Sequence, residues 1–185
     1  MSAEGNTIIE LFKQTRKACD QIGLLLRTAD ELMLKKGFKS EGNGALEGIS
    51  YSINSPLQWV PTYAFRFYKI SEKRIAFISV LVDDDVVERY YTVNEPYVTA
   101  GFLDFGKLDA NLNGNYWLAK YFGYLLKDPQ VAADGNAHPF KNDGKDPKLK
   151  FQDGQVFAVP LVSIKNADDV KNEIVSKLVN LAKNG

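Results

Sequence analysis

The sequence has few of the residues on which most metal and redox sites depend. Among 185 residues there is one cysteine, Cys19, and one histidine, His138. A single cysteine excludes an intramolecular disulfide framework and a cysteine-based zinc site, and a single histidine excludes a centre with several imidazole ligands. A lone thiol is typical of a reducing compartment, so we expect a cytoplasmic protein.

Net charge and long apolar runs are also lacking. The 23 lysines and arginines balance 23 aspartates and glutamates, so no long-range field favours nucleic acid or anionic lipid. The first residues lack the basic and apolar regions of a signal peptide, and the longest apolar stretch, 77–82, is far shorter than the ~18 residues that cross a bilayer. We therefore expect a soluble protein that binds neither nucleic acid nor membrane.

The composition that remains is that of an ordinary globular domain. Hydrophobic residues make up 45% of the chain, which is enough to bury one core in a chain of this length. We therefore expect a single domain over residues 1–185. Within it, residues 128–154 carry prolines and glycines but few large apolar groups, which predicts a long flexible loop.

A long amphipathic helix is predicted at the N-terminus. Thr7 and Glu10 have the spacing of a capping box, and the next helix-breaking pair is Lys36-Gly37. Apolar residues recur between them at steps of three and four, and Cys19 falls on this stripe, where we expect it to be a small core residue. Gly23 leaves two alternatives, one continuous helix or two shorter helices that meet there.

Such a helix, about 45 Å long over ~30 residues at 1.5 Å per residue, is longer than one face of a domain of this size requires. Part of its apolar stripe is therefore predicted to contact another molecule, either a protein partner or a second copy in a homo-oligomer. The near-zero net charge gives little repulsion between copies.

The rest of the chain predicts closely spaced strands and two further helices. The predicted strands lie near 48–54, 61–70, 74–83, 86–93, 97–106 and 155–164, and the predicted helices cover 116–127 and the region after Asn166. Short connections favour antiparallel hairpins. The prediction is an α+β fold, in which an antiparallel meander sheet of four to six strands is covered by the long N-terminal helix and two later helices.

One candidate metal site lies at the end of a strand with apolar residues on both faces. Asp83 and Asp85 belong to a run of three aspartates that follows this strand, and carboxylates in such a position suit a hard divalent cation. The competing interpretation is a solvated hairpin turn, because neighbouring strand residues point to opposite faces. We expect no cofactor, and a divalent cation at these aspartates is the alternative.

Four other residues are candidates for binding a ligand. Arg66, Tyr68 and Asp104 occupy strand positions that alternate with apolar neighbours, so each can face a covered layer and recognise an anionic or polar group. His138 is the one imidazole base available. A structural Arg–carboxylate pair and rings buried in the core are the competing interpretations of the strand residues.

These observations favour a non-enzymatic binding or interaction domain that contacts a protein or a small ligand through the long helix or the aromatic face of the sheet. Two alternatives stay open. One is a divalent-metal-dependent enzyme that uses carboxylates near Asp83 and Asp85. The other is a carrier in which sheet and helices enclose an apolar small molecule.

Overall fold

The structure is a computed structural model. The residues that it describes are 3–41, 46–47, 52–54, 63–82, 95–105, 134–141 and 151–184.

The first element is one long helix, α1 (Ala3–Lys35). It passes through Gly23 without a break, which decides between the two alternatives in favour of a continuous helix. Ile22, Leu25 and Leu26 pack on either side of this glycine, and their burial offsets its low helix propensity. The helix begins at Ala3 and not at Thr7, so the predicted capping box is wrong.

The end of α1 has a clear cause in the sequence. Gly37 adopts a φ of 89°, a left-handed conformation that only glycine reaches at little cost. The amides of Gly37 and Phe38 donate to the carbonyl oxygens of Leu34 and Met33 at 2.9 and 3.0 Å. This is the Schellman arrangement, which satisfies the last carbonyls of a helix.

Among the described residues, seven strands form one antiparallel sheet. They are β1 (Lys39–Glu41), β2 (Leu46–Glu47), β3 (Tyr63–Lys69), β4 (Arg74–Leu81), β5 (Tyr97–Phe105), β6 (His138–Lys141) and β7 (Phe151–Pro160). Their order is β1-β3-β4-β5-β7-β6, and β2 pairs with the same edge of β3 as β1 does, so the sheet has six strand positions. The predicted antiparallel sheet is confirmed, and β3, β4 and β5 form its meander.

The central strands are covered on both faces. Every residue of β4 from Ile75 to Val80 has no exposed surface, as its apolar content on both faces predicts. One face, which we call the helix face, carries Ala64, Ile78, Ala100 and Phe157 and packs in one cluster with both described helices.

A further helix in the described part of the chain, α2, covers residues 167–184, with Val170–Val175 in a π-helical conformation between α-helical ends. Asn166 caps it, because its side chain accepts hydrogen bonds from the amides of Asp168 and Asp169. Its π-helical segment packs against α1. The sheet thus has α1 and α2 side by side on its helix face. The predicted helix over 116–127 lies outside the described residues.

Two strand predictions and part of the loop prediction need comment. Residues 52–54 form a turn, so the strand predicted over 48–54 is wrong there, while 86–93 lies outside the described residues. Within the predicted loop 128–154, β6 and the first residues of β7 are strands. The two strands are antiparallel neighbours, with His138 paired to Val156 at one end and Lys141 paired to Asp153 at the other. A four-residue edge strand that contains Pro139 gives too weak an apolar pattern to be recognised. The flexibility of the remainder stays a prediction.

Candidate functional site

The two halves of α1 differ in what they contact. In the C-terminal half, Ile22, Leu25, Ala29 and Met33 are buried against the helix face of the sheet and α2. In the N-terminal half, over residues 4–21, no residue is buried. We call residues 4–21 the exposed half of α1; at 1.5 Å per residue it is about 27 Å long.

The exposed half continues the apolar stripe that the other half buries. Ile8, Leu11 and Phe12 have 56%, 63% and 63% of their surface exposed. Steps of three and four residues lead from them through Thr15 and Ala18 to the buried Ile22, so they lie on the same side of the helix. Cys19, on this stripe, is exposed as well, so its predicted burial is wrong. Single exposed apolar residues are common, but a row in line with a core is typical of a contact surface.

The opposite side of the exposed half is polar and internally paired. Gln14 donates to Glu10 at 2.7 Å, and the Lys13 ammonium lies 3.8 Å from the Glu10 carboxylate. These contacts at three- and four-residue spacing stabilise the helix where no tertiary packing supports it. The exposed half therefore has one solvated side and one apolar side.

A cleft of about 420 Å³ lies where the exposed half meets the rest of the protein. Its walls are mainly apolar and include Ile22, Leu25, Val82, Leu161, Ile164 and Val170. Ala18 of the exposed half and Lys165 before α2 also line it. The apolar stripe of the exposed half thus leads directly into an apolar cleft.

A part-buried polar network fixes α1 to the sheet. The Arg66 guanidinium donates to both oxygens of Asp30, at 3.1 and 2.9 Å, and the Tyr68 hydroxyl donates to the same carboxylate at 2.9 Å. Burial raises the pKa of Tyr68 well above its usual value, and the charge and hydrogen bond of Asp30 raise it further. We call these three residues the Asp30 network. It brings together two of the predicted ligand residues, but around a carboxylate of the same chain.

Asp104 belongs to a different contact. Arg74 donates to its two oxygens at 2.6 and 2.7 Å, and the guanidinium lies 4.3 Å from the centre of the Phe102 ring. The hydrogen bonds to Asp104 raise the pKa of Arg74. Arg66 and Asp104 both lie on the helix face. However, Arg66 of β3 is paired with Ile78 of β4, and Ile78 is paired with Ala100 of β5, which lies four residues from Asp104. The structure therefore does not join them in one pocket.

His138 occupies a third place, at the start of the edge strand β6. Its Nε2 lies 3.1 Å from a carboxylate oxygen of Asp134. Hydrogen bonds from the backbone and side chain of Asn136, followed by the contact with His138, lower the pKa of Asp134 to about 2. This is a compact turn at the protein surface. Arg66, Asp104 and His138 thus lie in three separate local contacts.

The proposed metal ligands Asp83 and Asp85 lie outside the described residues. Among the residues that are described, no three carboxylate, imidazole or thiol groups are grouped in a way that would hold a metal ion. The described helices also include none that is both long and apolar enough to cross a membrane.

Comparisons of the chain with known protein families, with curated proteins and with solved structures gave no match. The site must therefore be judged on its geometry alone.

Asp30 is a residue of the site that the sequence analysis did not single out. It follows Leu26 by four residues and precedes Met33 by three, and both are buried. An acidic residue at such spacing lies at the margin of the buried stripe. Together with an arginine on a half-buried strand, this spacing is a usable signal for a pair between helix and sheet.

Proposed function

We propose that this chain is a non-catalytic interaction domain that contacts a protein through the exposed half of α1. The observation that carries the proposal is the continuous apolar stripe, which is buried from Ile22 onward and exposed at Ile8, Leu11 and Phe12. Leaving a row of large apolar side chains in water is unfavourable, and contiguous exposed apolar surface in soluble proteins marks contact sites.

The way α1 is held supports this role. The helix is fixed to the sheet in its C-terminal half by apolar packing and by the Asp30 network. Because that half is anchored, the exposed half extends from a packed helix. Binding a partner therefore costs less conformational entropy than it would if the whole segment had to fold on binding. A preorganised helix that offers one apolar side is a recurrent mode of protein recognition.

The separation of the polar candidates supports a non-catalytic role. General acid–base catalysis requires groups within hydrogen-bond reach of one substrate position. Arg66, Asp104 and His138 each pair with a different carboxylate or arginine, in different parts of the fold.

The metal-dependent alternative at Asp83 and Asp85 is tested by a thermal-shift measurement with magnesium, manganese and calcium. Stabilisation of the wild type but not of an Asp83→Ala/Asp85→Ala variant would support it.

Site-specific photo-cross-linking tests the proposed contact surface. We expect a photoreactive phenylalanine analogue at position 11 to cross-link to protein in cells that produce the chain. Position 17, on the polar side of the same helix, is the matched control and should give little product. Equal cross-linking at both positions, or none at position 11, would contradict the proposal.

A second candidate function, a carrier of an apolar small molecule, is favoured by the cleft of about 420 Å³. This volume lies within the range of small-molecule pockets, roughly 300–1,000 Å³. Native mass spectrometry of freshly purified protein tests it. A retained molecule that is lost in a Leu25→Lys variant would support a carrier, and protein of bare mass from several preparations would argue against one.

A further inference from the structure

We propose that the cleft between α1 and the start of α2 binds an aliphatic carboxylate, with the hydrocarbon chain inside the cleft and the carboxylate beside Lys165. The inference rests on the second candidate function, the carrier of an apolar molecule, and names the chemical class of that molecule. It is carried by the aliphatic lining of the cleft, by the change from buried apolar residues to exposed polar ones, and by the single charge among the described lining residues.

The deep part of the cleft belongs to the hydrophobic core. Ile22, Leu25 and Val170 line it, with only 8%, 6% and 3% of their surface exposed, and the half-buried Val82 and Leu161 pack against the same core. An occupant that reaches these side chains leaves water for apolar surroundings, so each methylene group buried there strengthens binding by up to about fourfold. The affinity for an occupant therefore depends on the length of its apolar part.

The apolar side chains of the described lining are all aliphatic. They belong to alanine, valine, leucine, isoleucine and proline, and no phenylalanine, tyrosine or tryptophan is among the described residues that line the cleft, although aromatic residues make up 12% of the chain. A planar aromatic ligand would find no ring there with which to stack. A flexible hydrocarbon chain needs only close contact with branched aliphatic groups. The lining therefore favours an aliphatic occupant over an aromatic one.

Lys165 carries the only charge among the described lining residues. It is exposed, as are the polar lining residues Gln21 and Asn166, so polar groups lie at the mouth of the cleft. The backbone amide of Lys165 donates to the Asp169 carboxylate at 2.9 Å, but no carboxylate of the described residues forms an ion pair with the Lys165 ammonium. One positive charge beside an apolar cleft is complementary to a molecule with one negative charge and an apolar body. A carboxylate has this single charge, whereas a phosphate monoester carries about two.

Isothermal titration calorimetry with hexanoate, octanoate and decanoate tests whether the hydrocarbon chain lies in the cleft. For the full-length protein, we expect each two added methylene groups to lower Kd about fivefold to fifteenfold. An Ala18→Trp variant should raise Kd for decanoate at least about tenfold, because Ala18 is an exposed residue of the lining and the large ring would occupy the mouth of the cleft. The matched control is Lys17→Trp, which changes the exposed neighbour that is not among the lining residues, and it should leave Kd within about twofold.

Replacing Lys165 tests where the carboxylate lies. Lys165→Met removes the charge and keeps a flexible apolar side chain, so Kd for decanoate should rise about fivefold to tenfold, as expected for a charge-assisted contact near the surface. Decan-1-ol has the same chain length without the charge, and its Kd should stay within about twofold in the same variant. The matched control is Lys171→Met, which removes an exposed lysine of α2 that is not among the lining residues. This control should leave both dissociation constants within about twofold.

The outcomes separate this inference from the function on which it rests. If decanoate and decan-1-ol both bind, and Lys165→Met weakens both equally or neither, the carrier stands and the assignment of a carboxylate to Lys165 is wrong. If Ala18→Trp does not weaken the binding of decanoate, or if affinity does not depend on chain length, the probe lies outside the cleft and the inference is overturned. If none of the four probes binds, the inference is also overturned, and the carrier then stands only if native mass spectrometry shows a retained molecule.

Discussion

Replacing Asp30 with alanine removes the carboxylate through which α1 is bound to Arg66 and Tyr68 of β3. The Tyr68 side chain has no exposed surface, so its hydroxyl loses an acceptor that water cannot readily replace, at a cost of about 1–3 kcal/mol. The Arg66 and Asp30 side chains are 15% and 30% exposed, so their pair is screened more than a buried one but less than a surface pair and contributes about 1–2 kcal/mol. We expect Asp30→Ala to lower the free energy of unfolding by about 3 kcal/mol.

Urea unfolding followed by circular dichroism measures this loss, and thermal unfolding should show a fall of roughly 6–12 °C for a chain of this size. Glu31→Ala is the matched control, since Glu31 is the exposed neighbour of Asp30 on the same helix. Its effect should stay within about 0.5 kcal/mol. Tyr68→Phe alone should cost about 1.5 kcal/mol, because it removes a hydrogen bond to a charged group.

The double variant Asp30→Ala/Tyr68→Phe is the decisive measurement. Once the carboxylate is gone, the buried hydroxyl stabilises nothing, so its removal should cost nothing further or restore some stability. We expect the double variant to be at least about 1 kcal/mol more stable than additivity of the single changes predicts. Additive losses, or an Asp30→Ala variant as stable as Glu31→Ala, would refute the role that we assign to the Asp30 network.

Two further predictions concern the sheet and its buried tyrosine. Gly101→Ala should destabilise the fold by about 3 kcal/mol or more, because the new methyl carbon would overlap the carbonyl oxygen of Gln155 in β7. Chemical denaturation measures this loss, and a loss under ~1 kcal/mol would show that β7 shifts easily. The raised pKa of Tyr68 means that unfolded chains ionise this tyrosine near pH 10 while folded chains do not. Its contribution to stability is therefore present below pH 10 and is lost progressively as the pH rises above that value. The advantage of the wild type over Tyr68→Phe should shrink as the pH rises from about 10 to 11, and a constant difference would contradict this.

Much of the fold follows from local signals in the sequence. The apolar stripe of α1, the glycine at its end and the asparagine before α2 are each read from a few neighbouring residues, and the structure confirms the elements that they delimit. The short connection between β3 and β4 permits only an antiparallel hairpin. The two-sided apolar content of β4 indicates its central position, which its burial confirms.

The features that the sequence did not reveal depend on residues far apart in the chain. β7 pairs with β5 along nearly its whole length, although 45 residues separate Phe105 from Phe151, and no local pattern specifies such a neighbour. The partners of the polar candidates are equally remote, since Asp30 lies 36 residues from Arg66 and Arg74 lies 30 from Asp104. Periodicity shows that a polar residue faces a covered layer, but it does not show which opposite charge meets it there.

Because α1 is continuous, the Asp30 network also determines the direction in which the exposed half of α1 points. Asp30 lies 19 residues from Leu11, which is about 28 Å along the axis at 1.5 Å per residue. A change of only ~10° in the tilt of the helix at Asp30 would displace Leu11 by about 5 Å over that length. Small adjustments where α1 meets the sheet would therefore move the exposed half of α1 relative to the rest of the protein, without altering any residue of the exposed half.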